Sequence, residues 1–121
     1  MKMTLSKTFT FEAAHFLPNV PDGHKCKRLH GHSYTVEVGI SGEVDTKQGW
    51  VMDYADIKAA YKPINKKLDH YLLNDIPGLS NPTSENICAW IWNELRAKLP
   101  LLTSITIHET CTSKCIYTGD K

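Results

Sequence analysis

The sequence has almost no excess of either charge. Its 14 Lys and Arg face 13 Asp and Glu, a formal net charge of +1. Domains that hold nucleic acid by backbone electrostatics carry a clear basic excess, so no nucleic-acid partner is expected. Long apolar runs are also missing. The longest are a few residues, against the roughly 18 needed to cross a bilayer as a helix, so no membrane partner is expected either. There is no internal repeat, low-complexity tract or linker, and no Gly-rich dinucleotide fingerprint. The first seven residues, Met1 to Lys7, hold no apolar core of signal-peptide length, which makes the cytoplasm the expected compartment.

What is present is an ordinary globular composition. Hydrophobic residues make up 41% and charged residues 22%, too apolar for a disordered chain. At 121 residues the chain is shorter than one nominal domain of about 150, so a single domain over 1–121 is expected. Such a chain buries only a small core, which self-association would supplement. The four cysteines, Cys26, Cys88, Cys111 and Cys115, read as free thiols, because a cytoplasmic disulfide scaffold is improbable.

Hydrophobic periodicity gives the order of elements. From Ser6 to Phe16 the pattern alternates, with Phe9, Phe11, Ala13 and His15 on one face of a strand. Residues 18 to 31 are rich in turn formers and read as a loop. Alternation resumes with His32, Tyr34, Val36, Val38 and Ile40 on one side and polar residues on the other, the pattern of a half-buried strand. From Asp53, a candidate N-cap, Ile57, Ala60, Tyr61, Ile64 and Leu68 follow helical spacing, and Pro63 predicts a kink or break within that run. After a loop from Tyr71 to Pro82, a second helix is expected from Thr83 or Ser84 to about Leu99. Its stripe is Ile87, Trp90, Ile91, Leu95 and Leu99, and Pro100 stops it. Thr103 to Thr110 alternates once more, and a short last strand falls around Cys115–Tyr117. The order β-β-α-α-β-β predicts an α+β fold, an antiparallel sheet with both helices packed on one face.

The chemistry sits inside the alternation. His30 and His32, two apart on a strand, point to the same face and can converge on one metal ion. His15 ends the apolar row of the first strand. If the two strands pair antiparallel, His15 lies beside His30 and His32. Three neutral imidazoles suit Zn²⁺ and leave a coordination position open. The alternative is three unrelated histidines.

Cys26 has three readings: a fourth ligand closing a Cys-His₃ site, a thiolate base or nucleophile beside an open site, or a plain loop cysteine. Lys25, Lys27 and Arg28 surround it with positive charge, a setting that favours thiolates. The same three cations fit an anionic substrate, and equally fit a solvated loop. Glu109 shares the face of Ile105 and Ile107. It is either a buried carboxylate in need of a partner or a strand-end group in water. Leu68-Asp69-His70 offers an acid-imidazole pair suited to proton transfer, although sequence neighbours need not face each other.

Taken together, these residues resemble a known family. Phe11-Glu-Ala-Ala-His15, Cys26-x₃-His30-Gly-His32, Gly49-x-Val51-Met-Asp53, Leu68-Asp69-His70 with Leu73-Asn74, Asn81-Pro82-Thr83-x-Glu85 and Glu109 occur in the order of the 6-pyruvoyl-tetrahydropterin synthase family. The resemblance covers nearly the whole chain. The Cys26-to-His30 gap, Trp50 and the Cys111-Thr-x-x-Cys115-Ile-Tyr ending look like the branch that makes 6-carboxy-5,6,7,8-tetrahydropterin for queuosine (7-deazaguanine) biosynthesis. The resemblance implies a tunnelling fold whose subunits form an oligomeric barrel, a homo-oligomer with active sites at subunit interfaces. It implies zinc on His15, His30 and His32, Cys26 as proton acceptor, Asp69 and His70 in a relay, and Glu109 holding the pterin ring. The implied reaction is that of a carbon-oxygen lyase, from 7,8-dihydroneopterin triphosphate to 6-carboxy-tetrahydropterin, acetaldehyde and triphosphate. Two alternatives stand beside it: an enzyme that retains the side chain as 6-pyruvoyl-tetrahydropterin, and a non-catalytic zinc- or pterin-binding module in which Cys26 closes the metal site.

Overall fold

Alternation of Phe9, Phe11, Ala13 and His15 with Thr8, Thr10, Glu12 and Ala14 builds a long first strand, β1 (Lys2–His15). It pairs antiparallel with β2 (His30–Glu43) in unbroken register, from Lys2↔Glu43 to His15↔His30. This computed structural model describes residues 1–120. After β2 come α1 (Tyr54–Leu68), α2 (Ser84–Leu95), β3 (Leu102–Thr110) and β4 (Ser113–Tyr117), with short 3₁₀ turns at Lys25–Lys27 and Leu73–Asp75. The sheet order is β1-β2-β3-β4, antiparallel throughout. The α+β architecture expected from the periodicity is therefore the one observed.

Both helices cover one face of the sheet. Phe11, Ala13, Tyr34, Val36, Val38, Ile40, Ile105 and Ile107 form one core with Ile57, Tyr61, Ile64 and Leu68 of α1 and Ile87, Cys88, Ile91 and Leu95 of α2. Phe9 stacks on Tyr61 at 4.2 Å and Phe11 on Tyr34 at 4.8 Å, offset-stacked pairs that add to area burial. Burial also pushes the Cys88 thiol up to about 12, aided by its neighbour Cys115. The other face of the sheet is hydroxyl-bearing; Thr4, Ser6, Thr8 and Thr10 of β1 are exposed there. Gly39 sits at a register shift between β2 and β3. A Cβ there would lie 2.1 Å from Ser104 Oγ, so any larger residue would force that hydroxyl to rotate away.

The helices differ from expectation in two places. Pro63 does not end α1, which runs continuously from Tyr54 to Leu68. Both Pro63 and Ala59, four residues earlier, are exposed, so the carbonyl deprived of an N–H partner turns to water. α2 stops at Leu95. Leu99 is still buried, at 4% exposure, but through a tight turn whose N–H groups at Lys98 and Leu99 both reach the Leu95 carbonyl. Pro100 disfavours helical backbone at Leu99. The expected caps are in place: Asp53 accepts from the Ala55 N–H at 2.8 Å, and Thr83 from that of Asn86 at 3.1 Å.

Candidate metal centre and active site

His15 closes β1, His30 opens β2, and the two are register partners. The two-residue period of β2 puts His32 on the same face, so three imidazoles meet beneath the N-terminus of α2. Their ring centroids lie 4.6, 5.1 and 4.9 Å apart. One donor atom from each of His15, His30 and His32 falls within 4.8 Å of the others.

The orientation of the rings is fixed from behind. His15 Nδ1 donates to the carbonyl of the buried Pro82 at 2.9 Å, and His30 Nδ1 donates to the Arg28 carbonyl at 2.7 Å. With Nδ1 protonated, Nε2 is the bare nitrogen on each ring. Those two Nε2 atoms lie 3.0 Å apart. Two lone pairs facing each other at that distance repel, and a shared proton or a cation between them removes the conflict. His32 adds a buried Nε2 that makes no hydrogen bond among the described residues, its nearest polar neighbour being Glu109 Oε1 in a loose contact at 3.4 Å. A buried ring nitrogen so weakly partnered costs free energy unless something ligates it. Burial, the dominant cause, lowers the His15 pKa; His30 and His32 add to this, while the Pro82 bond and Glu109 oppose it. The result is a neutral imidazole, the form that binds metal. The Tyr34 hydroxyl rests against the same ring, 3.2 Å from Nδ1. Burial, with help from Glu109, raises its pKa and keeps the phenol protonated. Three converging imidazoles, two held by backbone carbonyls, fit zinc.

Glu109 reaches this cluster from β3. Its Oε1 is 3.4 Å from His32 Nε2, its Oε2 accepts from Ser84 Oγ at 3.0 Å, and its side chain is 30% exposed. It is thus neither fully buried nor free in water. It lines a cavity of about 380 Å³ with Ser84, Ile107 and Cys115.

Cys26 lies half-buried on the 3₁₀ turn between the first two histidine strands. Its thiol makes no hydrogen bond among the described residues and does not belong to the cluster of metal donors. A closed Cys-His₃ site is not what this geometry presents. Of the three cations around it, Lys27 is occupied, with Nζ 2.6 Å from Asp22 and 3.2 Å from the Val20 carbonyl. Lys25 and Arg28 are exposed.

Asp69 and His70 do face each other, with Asp69 Oδ2 3.0 Å from His70 Nδ1. The pair is bolted to β1 through one residue. The Glu12 N–H donates to Asp69 Oδ1 at 2.9 Å, and the Glu12 carbonyl accepts from the His70 N–H at 2.6 Å. His70 has a left-handed backbone, φ 66°, a conformation a non-glycine residue adopts at a cost. The Glu12 hydrogen bond holds it there. The Glu12 N–H, and secondarily His70, lower the Asp69 pKa. The His70 ring is 78% exposed and lines, with His32, Glu12 and Ser33, a cavity of about 490 Å³.

Against known protein families, residues 4–120 match that described as 6-pyruvoyl tetrahydropterin synthase. The chain belongs to this family. Among curated relatives, the 6-carboxy-5,6,7,8-tetrahydropterin synthase of Synechocystis is 47% identical over 92% of this chain and 89% of its own length. The dihydroneopterin monophosphate aldolase of Pyrococcus furiosus is 38% identical over 83% and 81%. Among solved structures, the 6-pyruvoyl tetrahydropterin synthase of Caenorhabditis elegans superposes with a TM-score of 0.92 at 29% identity, covering 99% of this chain and 97% of that one. The family's fold is thereby the fold of this chain.

Of the residues singled out in the sequence, the structure brings His15, His30, His32 and Glu109 together and joins Asp69 to His70. It adds partners that the sequence pattern did not reveal: the Pro82 and Arg28 carbonyls, Ser84, and the Glu12 backbone. Main-chain carbonyls carry no residue signature. Pro82 and Glu12 did lie within quoted motifs, so the motif held a signal whose meaning needed coordinates.

Proposed function

We propose that this protein converts 7,8-dihydroneopterin triphosphate, with one water, into 6-carboxy-5,6,7,8-tetrahydropterin, acetaldehyde and triphosphate, a carbon-oxygen lyase reaction of queuosine biosynthesis in the cytoplasm. The observation that carries this reading is the convergence of three imidazoles, two with Nδ1 committed to carbonyls, beside a carboxylate that lines a ring-sized cavity. His15, His30 and His32 would hold Zn²⁺, which supplies a Lewis acid for the hydroxyls of the substrate side chain. Glu109 accepts two hydrogen bonds from the 2-amino and ring N–H groups of the pterin, a charge-assisted pair. Ser84 holds that carboxylate by donating to Oε2.

In this reading Cys26, as thiolate, takes a proton from side-chain carbon. Asp69 keeps His70 oriented, and His70 moves protons between substrate and solvent as the dihydropterin ring is reduced at the expense of its side chain. Departure of triphosphate and cleavage of the carbon-carbon bond complete the change, and no redox cofactor is needed. The exposure of the His70 ring supports a homo-oligomer in which this relay meets a second copy at a subunit interface. The 47% identity to the Synechocystis synthase favours the carboxy product over a pyruvoyl one.

The test is to incubate zinc-loaded protein with 7,8-dihydroneopterin triphosphate and identify products by mass spectrometry. Carboxy-tetrahydropterin with acetaldehyde is expected. A pyruvoyl product, or simple aldol cleavage to a 6-hydroxymethyl pterin, would reassign the reaction within the family. Absence of any product from zinc-saturated protein would leave a binding module.

A further inference from the structure

The turn that carries Cys26 has an unusual cap. Helical turns are ordinarily opened by Ser, Thr, Asp or Asn, whose short side chains accept from the first free N–H groups. Here the cap is His24, whose Nδ1 accepts from the Cys26 backbone N–H at 3.1 Å. A nitrogen that accepts is unprotonated, so the ring carries its proton on Nε2. The other main-chain polar atom of Cys26 is also tied: its carbonyl accepts from the Leu17 N–H at 2.8 Å, two residues past His15. The turn is closed by the Lys27 N–H on the His24 carbonyl at 3.1 Å and the Arg28 N–H on the Lys25 carbonyl at 3.2 Å. The Arg28 carbonyl, next in line, orients His30.

Both main-chain polar atoms of Cys26 are therefore held, while its thiol makes no hydrogen bond among the described residues. The backbone fixes the Cβ from which the sulfur swings, and so the reach of the thiol. We infer that His24 is a positioning residue for the Cys26 thiol, acting through the backbone N–H and touching neither substrate nor metal. The inference rests on Cys26 being the proton acceptor of the proposed reaction. A cap of this kind is worth about a factor of five in the local equilibrium between ordered and open turn. His24 is itself exposed, so its removal leaves the core intact.

The experiment compares His24→Ala with His24→Asn, the latter restoring an acceptor at the cap. With Ala, kcat is expected to fall and KM to stay within about twofold. Alkylation of Cys26 by iodoacetamide, followed peptide by peptide to separate it from Cys111 and Cys115, is expected to accelerate as the half-buried thiol is freed, the fall in kcat and the gain in alkylation multiplying to about five. Asn restores both. Wild-type kcat and alkylation rate in His24→Ala would overturn the inference, as would Asn behaving like Ala. A Cys26→Ala control separates the two claims. Full turnover there sinks the catalytic reading of the thiol, while the alkylation rates still decide whether His24 positions it.

Discussion

Removing the proposed zinc should destabilise this protein by an amount set by how far the free ion exceeds its Kd. The His15 and His30 Nε2 atoms, 3.0 Å apart with Nδ1 tied behind each, are already aimed at a common point, so little ordering is left for the ion to impose. A ligand that binds only the folded state at about 1,000 times its Kd stabilises it by about 4 kcal/mol. Unfolding entropy near 2.1 cal/mol/K per residue gives about 0.25 kcal/mol/K for 121 residues. Zinc at that saturation should therefore raise Tm by about 16 °C, measured by calorimetry with and without chelator. His32→Ala should lose most of the shift. His30→Ala should lose it too, yet the metal-free variant should melt no lower than the metal-free parent, because the opposed lone pairs are gone. A shift below about 3 °C in the parent, or a parent-like shift in His32→Ala, would refute the assignment of the three histidines as ligands.

Glu109→Gln keeps an acceptor for Ser84 but removes the charge. Steady-state kinetics should show KM raised about tenfold to a hundredfold, the worth of a charged hydrogen bond; an unchanged KM would remove Glu109 from pterin binding. Asp69 has a depressed pKa because of the Glu12 N–H and then His70. Its contribution to stability is thus complete above the ordinary carboxylate range and disappears as pH falls through the depressed value. Urea midpoints of metal-free protein between about pH 6 and 3 should decline less steeply in Asp69→Asn, and identical slopes would count against the Glu12 clamp. Gly39→Ala places a Cβ 2.1 Å from Ser104 Oγ, an overpacking that costs about 1–3 kcal/mol. Adding Ser104→Ala should recover most of the lost Tm, and a single variant as stable as the parent would contradict the close approach.

The sheet was readable because side-chain parity is a strict code. Phe11, Ala13 and His15 had to share a face, and antiparallel pairing of the two strands then brought His15 close to His30 and His32, while the His15↔His30 register itself depends on how the intervening loop closes. Glu109 was readable by the same parity, but its degree of burial was not, since strand ends fall where the covering helix ends. Pro63 misled because the penalty of an interior proline depends on whether the orphaned carbonyl meets water. The strain at His70 was invisible as well: nothing in Asp-His announces φ 66°, which follows from the long-range bond to Glu12. The relay pair was legible as residue types and illegible as geometry.

The pairing of His15 with His30 as the last rung of a fourteen-residue ladder has an evolutionary corollary. Residues 16–29 form a loop whose two ends are pinned by the β-sheet at the His15↔His30 rung, where the proposed ion would bridge them. The entropy of closing such a loop grows only logarithmically with its length, by about 0.6 kcal/mol for each doubling. Insertions and deletions there that spare Arg28, whose carbonyl orients His30, leave the three histidines on their strands while relocating whatever the loop carries, including its one cysteine. Within one scaffold, the cysteine proposed to meet the substrate can thus drift in reach independently of the histidines proposed to hold the ion. That separation is a physical route by which enzymes sharing a single metal centre can come to make different products.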